Sequence, residues 1–371
     1  MQYRRYADTD IMLSALGFGA MRLPKDDDFA VECMVHALEN GVNFIDTAPG
    51  YRGGDEPEPG SSERLVGKAI KAVPREEIYV STKNATGSPS AEGWREGLET
   101  SLKHLDTDYI DFYQLVHSMK WKSYTEKFRP NAWEEALRAR EEGLVRSFGF
   151  SSHDTPENIL KLLKEGIFDS CIIQYNLLDR KNEPVIDYAR ANNISVLVMS
   201  PVGGGRLGTH SEKLEGLVPG VSSTAELALR FVLSNPGVTS ALSGMNTIEM
   251  IDENIATASV QEPLSSEERR AIDKSVEENR RLAELYCTGC DYCMPCPQNV
   301  GIPQIFSAMN THRVWGLTDV AKRQYTRLGP DHRNGLLQAD ACVECGVCED
   351  KCPQNIPIIK QLKESHKALS E

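Results

Sequence analysis

Eight of the ten cysteines lie between Cys287 and Cys352, in two runs that each close on Cys-Pro. The runs are Cys287-x2-Cys290-x2-Cys293-x2-Cys296-Pro297 and Cys342-x2-Cys345-x2-Cys348-x3-Cys352-Pro353. Three closely spaced thiolates can hold three corners of one iron–sulfur cubane, and the cysteine before proline ligates the other cluster in proteins that carry two. Eight thiolates therefore suit two [4Fe–4S] clusters, with these cysteines as the candidate metal ligands. The first run departs from the usual spacing, with two residues rather than three before its last cysteine. A pair of four-cysteine zinc sites is the alternative, although zinc ligands usually come as two separated Cys-x2-Cys pairs. A disulfide framework belongs to secreted chains, and this one has no secretory signal. Cys33, in a helical pattern, and Cys171, in a strand-like run, read as small buried hydrophobes.

A second group of residues could move protons. Asp46, Tyr51, Lys83 and His117 stand at or just after the ends of apolar, strand-like runs. A lysine beside a tyrosine lowers the phenol's pKa from about 10, and an aspartate keeps that lysine charged. The tyrosine can then protonate a carbonyl oxygen as hydride arrives at carbon, while histidine orients the carbonyl.

Elements must bring these groups together. Strand-like runs occur at Leu16–Arg22, Val42–Ala48, Ile78–Lys83, Tyr109–Val116, Val145–Ser151, Ser170–Asn176, Ser195–Pro201 and Thr239–Met245, each followed by a segment of helical periodicity. Such a succession predicts an α/β fold, a (β/α)8 TIM barrel with its chemistry at the C-terminal strand ends. The barrel is expected over residues 1–262, a linker helix over 263–285, and a small α-helical two-cluster domain over 286–371. A chain of 371 residues with 40% hydrophobic content exceeds the size at which single cores stop growing, which also predicts a second domain. The formal charge of −13 argues against a nucleic acid or an acidic membrane surface as partner. The N-terminus lacks the apolar region of a signal peptide, and no stretch is apolar enough for a membrane span, so a cytoplasmic protein is expected.

The segments Asn43–Tyr51, Ser62–Gly67, Ser81–Lys83, Asp111–His117, Gly149–Ser152, Gln174–Asn176 and Ser200-Pro201 resemble the aldo-keto reductase family over residues 1–260. The cysteine-bearing tail resembles the subgroup of that family with a C-terminal ferredoxin-type domain. Its 45-residue spacer between the runs is similar to that of the helical ferredoxin domains in succinate dehydrogenase and fumarate reductase. The resemblance implies a catalytic tetrad of Asp46, Tyr51, Lys83 and His117, with Tyr51 as proton donor. It implies that Ser151, Ser152 and Gln174 hold a nicotinamide carboxamide, that Ser200, Gly244, Met245 and Asn246 lie along the nucleotide, and that Glu253 and Asn254 face adenine.

Departures from the family pattern shape the cofactor expectation. One extra residue separates Asp111 from His117, Met199 stands where the family places a stacking tyrosine, and Ser152 replaces the usual asparagine. No Lys or Arg occurs in Met245–Met250, where the family grips a 2′-phosphate, so NADH is expected over NADPH. The loop Gly203-Gly204-Gly205-Arg206 suits a pyrophosphate or the phosphate of FMN.

Clusters pass single electrons whereas hydride transfer moves two. The expected function is reduction of a small carbonyl-type substrate with electrons passed through two clusters, a redox protein such as ferredoxin being a candidate partner. A flavin-dependent reductase using the barrel mouth is the second reading, and a non-catalytic redox-docking or sensor module the third.

Overall fold

The structure, a computed structural model, describes all residues except 52, 55–57, 86–89, 209, 285–286, 288–292, 333–334, 353–355 and 371, and excludes the side chains of 206 and 279–284. Cys290 thus lies outside the described residues. The chain forms two compact units, Met1–Gly204 with Ala228–Leu264, and Gly205–Leu227 with Ser265–Glu371.

The first unit is a closed, all-parallel barrel. A hairpin of β1 (Tyr3–Arg5) and β2 (Met12–Ser14) precedes β3 (Leu16–Gly19), β4 (Phe44–Asp46), β5 (Tyr79–Lys83), β6 (Ile110–Gln114), β7 (Val145–Ser152), β8 (Ser170–Gln174), β9 (Ser195–Met199) and β10 (Ser240–Ser243). The ring closes where β10 pairs with β3, Ala241 opposite Leu16. All eight expected barrel strands are present, most of them one to four residues shorter than the expected run. The first is the clearest case, since Ala20–Arg22 turns into a short 3₁₀ helix after Gly19.

The hairpin was not expected. Its strands are only three residues long and β1 reads Tyr-Arg-Arg, too short and too polar for a period-two signal. It carries Tyr6, which is buried and stacks on Phe112 with ring centroids 4.1 Å apart. Leu13, Phe44, Ile172, Leu197 and Leu242 complete this apolar cluster. The Tyr6 hydroxyl pairs with Ser147 Oγ at 2.8 Å, and Ser147 Oγ donates to Asp169 at 2.7 Å, so the one polar group of the cluster is satisfied.

The second unit packs helices Ile302–Arg313, Thr318–Thr326 and Ile358–Leu369 around Ile305, Phe306, Tyr325 and Leu362. The Ala339 N–H donates to the Tyr325 hydroxyl at 3.0 Å, and that hydroxyl also pairs with His366 Nδ1 at 2.7 Å. This bond fixes the Ala339–Ala341 turn just ahead of Cys342. The segment Gly205–Leu227 is laced into the same unit. Ser211 Oγ donates to the Trp315 carbonyl at 2.8 Å, and Lys213 Nζ caps the carbonyls of Arg313 and Val314 at 3.0 and 3.2 Å. Those carbonyls lie at the C-terminal end of a helix, which is where a lysine is most favourable. No helix among the described residues is long and apolar enough to cross a membrane.

Candidate active site and cluster cavity

Parallel strands point their C-terminal ends the same way, so β4 and β5 end on the same mouth of the barrel, with Asp46 opposite Ser81 and Lys83 two residues further along β5. Asp46 and Lys83 are 4% and 2% exposed, which makes theirs a buried ion pair that must be well bonded to persist. It is: Lys83 Nζ donates to both Asp46 carboxylate oxygens at 2.8 and 2.7 Å and to the Thr47 carbonyl at 2.7 Å. The Thr47 contact was not foreseen, and a main-chain acceptor leaves no mark in sequence. Lys83 Nζ also lies 4.8 Å from the centroid of the Tyr51 ring. Burial pulls the Lys83 ammonium down, but Asp46 and Tyr51 together outweigh it and the group is held above its ordinary value, hence charged.

Tyr51 corrects one sequence expectation. Burial pushes its phenol above the usual value, and the opposing pull of Lys83 does not overcome that. The phenol is thereby kept as an acid at neutral pH rather than poised to ionise.

His117 faces Tyr51 edge-on, ring centroids 6.1 Å apart at 87°. The extra residue after Asp111 is absorbed beyond the strand. β6 ends at Gln114, and the following turn is tied on both sides: His117 N–H donates to the Asn84 carbonyl at 2.8 Å, Ser118 N–H to Ser151 Oγ at 3.0 Å, and Met119 N–H to the Ser151 carbonyl at 2.7 Å. Ser118 takes a left-handed conformation, φ 55°, to make the bend. Burial first, and Lys83 second, hold the His117 imidazole below its ordinary pKa, so it is neutral at pH 7.

The candidate nucleotide residues sit at neighbouring strand ends, but several are already engaged. Ser152 Oγ donates to the Met119 carbonyl at 2.7 Å and accepts from Asp154 N–H, while the Gln174 amide donates to Asp179 at 2.7 Å. Ser151 Oγ accepts from Ser118 N–H at 3.0 Å. Met199, half-buried, packs against the barrel core cluster, and Ser200 follows at φ 55°. Gly203, Gly204 and Gly205 adopt φ of 60°, 67° and 88°, a left-handed run that side chains would strain. The side chain of Arg206 lies outside the described residues. After β10, Gly244 and Asn246 are exposed and Met245 is buried. Glu253 is exposed, and Asn254 donates to Ser243 Oγ at 3.2 Å.

In the second unit, Cys296, Cys342, Cys345 and Cys348 line one cavity, closed by Val300 and Leu362. Cys296 comes from the first run and the other three from the second. Gly346, at φ 79°, lets the chain turn between Cys345 and Cys348. Cys287, Cys293 and Cys352 pack against the same helical core. The nine described cysteines are free of disulfides. Among the described residues no three His, Cys, Asp or Glu side chains converge closely enough to hold a single ion. Four soft thiolates around a shared apolar-walled cavity fit the donor set of an iron–sulfur cubane.

Comparison with known proteins agrees with both halves. Residues 15–277 match the Aldo/keto reductase family, and residues 286–356 match the 4Fe-4S dicluster domain. An uncharacterized oxidoreductase of Bacillus subtilis, YqkF, is 29% identical over 75% of this chain and 98% of its own length. The NADH-specific methylglyoxal reductase of Escherichia coli is 29% identical over 68% of this chain and 92% of its own. Among solved structures, aldo-keto reductase AKR11C1 from Bacillus halodurans in its holo form superposes with a TM-score of 0.64 at 31% identity, covering 74% of this chain and 96% of that one.

Proposed function

This chain belongs to the aldo/keto reductase family and is an oxidoreductase with a 4Fe-4S domain, and from that we propose that it reduces a small carbonyl-type substrate at the barrel mouth with Tyr51 as proton donor. The observation that carries the reading is the unbroken contact from Asp46 through Lys83 to Tyr51 and on to His117. When bound, a nicotinamide nucleotide would supply hydride and two clusters would relay single electrons.

The protein's own groups then divide the work. Tyr51 gives its hydroxyl proton to the substrate oxygen. The tyrosinate left behind is stabilised by the Lys83 ammonium, which Asp46 and the Thr47 carbonyl hold in place. His117, neutral, donates an N–H to the same oxygen and orients it.

The sign of the pH dependence follows. Activity needs Tyr51 protonated, and its raised pKa keeps it so throughout the neutral range. The alkaline limb of kcat/KM is expected above about pH 10. A limb near pH 7–8 that vanishes in Tyr51→Phe would show that Lys83 prevails over burial.

Nicotinamide preference is expected to follow the missing cation. The helix Ile248–Ser259 starts with Thr247, whose hydroxyl accepts from Met250 N–H, and neither Met245–Met250 nor this helix carries a Lys or Arg. NADH should therefore bind at least as tightly as NADPH, as the name of the Escherichia coli relative also suggests. Titration showing NADPH more than about tenfold tighter would overturn this. Methylglyoxal, the substrate in that relative's name, is the first carbonyl compound to assay. The engaged side chains of Ser152 and Gln174 favour a second reading, in which FMN occupies the barrel mouth. Reduction by dithionite but not NADH would support it.

A further inference from the structure

We infer that the segment Val343–Val347 is the port where electrons are exchanged with a second protein, a one-electron carrier whose redox group is rimmed by Lys and Arg; this rests on the second cysteine run holding a cluster. Cys345 is exposed, whereas Cys342 is half-buried and Cys348 is buried. Six large apolar side chains are exposed among the described residues, and the two in the second unit, Val343 at 61% and Val347 at 37%, bracket Cys345. Valine gains free energy on leaving water, so a pair left out beside a ligand sulfur marks a surface that is covered part of the time. The backbone is shaped for the sulfurs as well. Glu344 at φ 59° and Gly346 at φ 79° are left-handed, and Glu344 N–H donates to Cys342 Sγ at 3.4 Å. That conformation is costly for a glutamate and persists only where its surroundings hold it. Here it places a backbone donor on a ligand sulfur, a contact that tunes a cluster's potential.

Charge selects the kind of partner. From Asp340 to Asp350 the chain carries four carboxylates, Asp340, Glu344, Glu349 and Asp350, and no Lys or Arg; Lys351 is the first cation beyond them. Two of the four are committed, since Glu344 pairs with Lys363 at 2.7 Å and Glu349 Oε1 accepts from Ile359 N–H at 2.9 Å. Asp340 and Asp350 are exposed and, in a chain of formal charge −13, give the rim of the segment a negative field. An equally acidic carrier would be repelled, whereas a cationic rim would be steered onto it. An apolar pair beside the sulfur with charges around it suits a small, transient electron-transfer contact. One electron passes per encounter, oxidising the donor and reducing the acceptor by one with no bond made or broken, so two encounters match one two-electron reduction of a carbonyl.

The test uses the full-length protein with its clusters, and cytochrome c, a one-electron carrier whose haem edge is ringed by lysines, as the probe. Biolayer interferometry measures its binding to the oxidised protein, and stopped flow measures its reduction by protein reduced beforehand and freed of reductant, each at low and high salt. Val343→Ser with Val347→Ser, and Asp340→Lys with Asp350→Lys, should each weaken binding and slow the second-order rate by about tenfold or more. The charge-reversed pair should also flatten the salt dependence. Glu76→Lys with Glu134→Lys, which reverses two exposed carboxylates of the barrel, should change both by less than about threefold. Unchanged iron content and electron paramagnetic resonance establish that the variants keep their clusters. An equal loss in the barrel pair would mean that net charge alone attracts the probe, and would overturn the segment as the port. Segment variants that match wild type in both measurements would do the same while leaving the clusters standing. Wild type without iron would instead remove the clusters on which the port depends. Tighter binding of an acidic plant-type ferredoxin than of cytochrome c would refute the cationic partner. Self-association of wild type that the valine pair of substitutions abolishes would assign the segment to a second copy of this chain.

Discussion

Tyr51→Phe is expected to lower turnover by about 10²–10⁴-fold while nucleotide and substrate affinity change little, because a positioned general acid contributes that much. The split between rate and binding follows from the contacts. Phenylalanine keeps the ring that lies against Lys83 Nζ and meets His117 edge-on, so the shape of the pocket and the Asp46–Lys83 pair survive. What disappears is one hydroxyl proton. Steady-state kinetics with the best carbonyl substrate, alongside nucleotide titration, checks both halves. Turnover within a factor of about three of wild type would assign the proton to another group, the imidazole of His117 facing the same ring being the first to test.

Cys296→Ser is expected to remove about four of roughly eight irons, and to remove the same cluster as Cys345→Ser. The reason is the crossed cavity. Cys296 belongs in sequence with Cys287 and Cys293, yet it lines a cavity with Cys342, Cys345 and Cys348. Cys287→Ser should empty the other cluster, so low-temperature electron paramagnetic resonance of the three reduced variants should sort Cys296 with Cys345 and apart from Cys287. Grouping of Cys296 with Cys287 would mean that each run holds its own cluster, and zinc in place of iron would dismiss the clusters altogether.

Much of the chain's character was legible because it is written in short-range pattern. Eight apolar runs of strand length, each followed by a helical period, leave little besides a closed barrel, and the eight strands appear where those runs are. The cysteine spacings name a metal chemistry because three thiolates two residues apart wrap one small object. Asp46 and Lys83 could be paired from their strand-end positions, since parallel strands align their C-terminal ends. The hairpin that carries Tyr6 escaped notice for the opposite reason. Three-residue strands have no period to read, and what holds Tyr6 is a ring contact with Phe112, more than a hundred residues away.

What the amino-acid sequence determined by itself, then, is the inventory: a barrel, a cysteine domain, and an acid, a lysine and a histidine at strand ends. Tertiary structure decided how those groups stand to one another. Burial around Tyr51 exceeds the pull of Lys83 and reverses the expected direction of its pKa, a balance of desolvation against charge that no spacing encodes. His117 faces Tyr51 despite the extra residue, and hydrogen bonds from His117–Met119 to Asn84 and Ser151 hold it there from both sides. Cys296 lines a cavity with the other run because the helical core packs the two runs together.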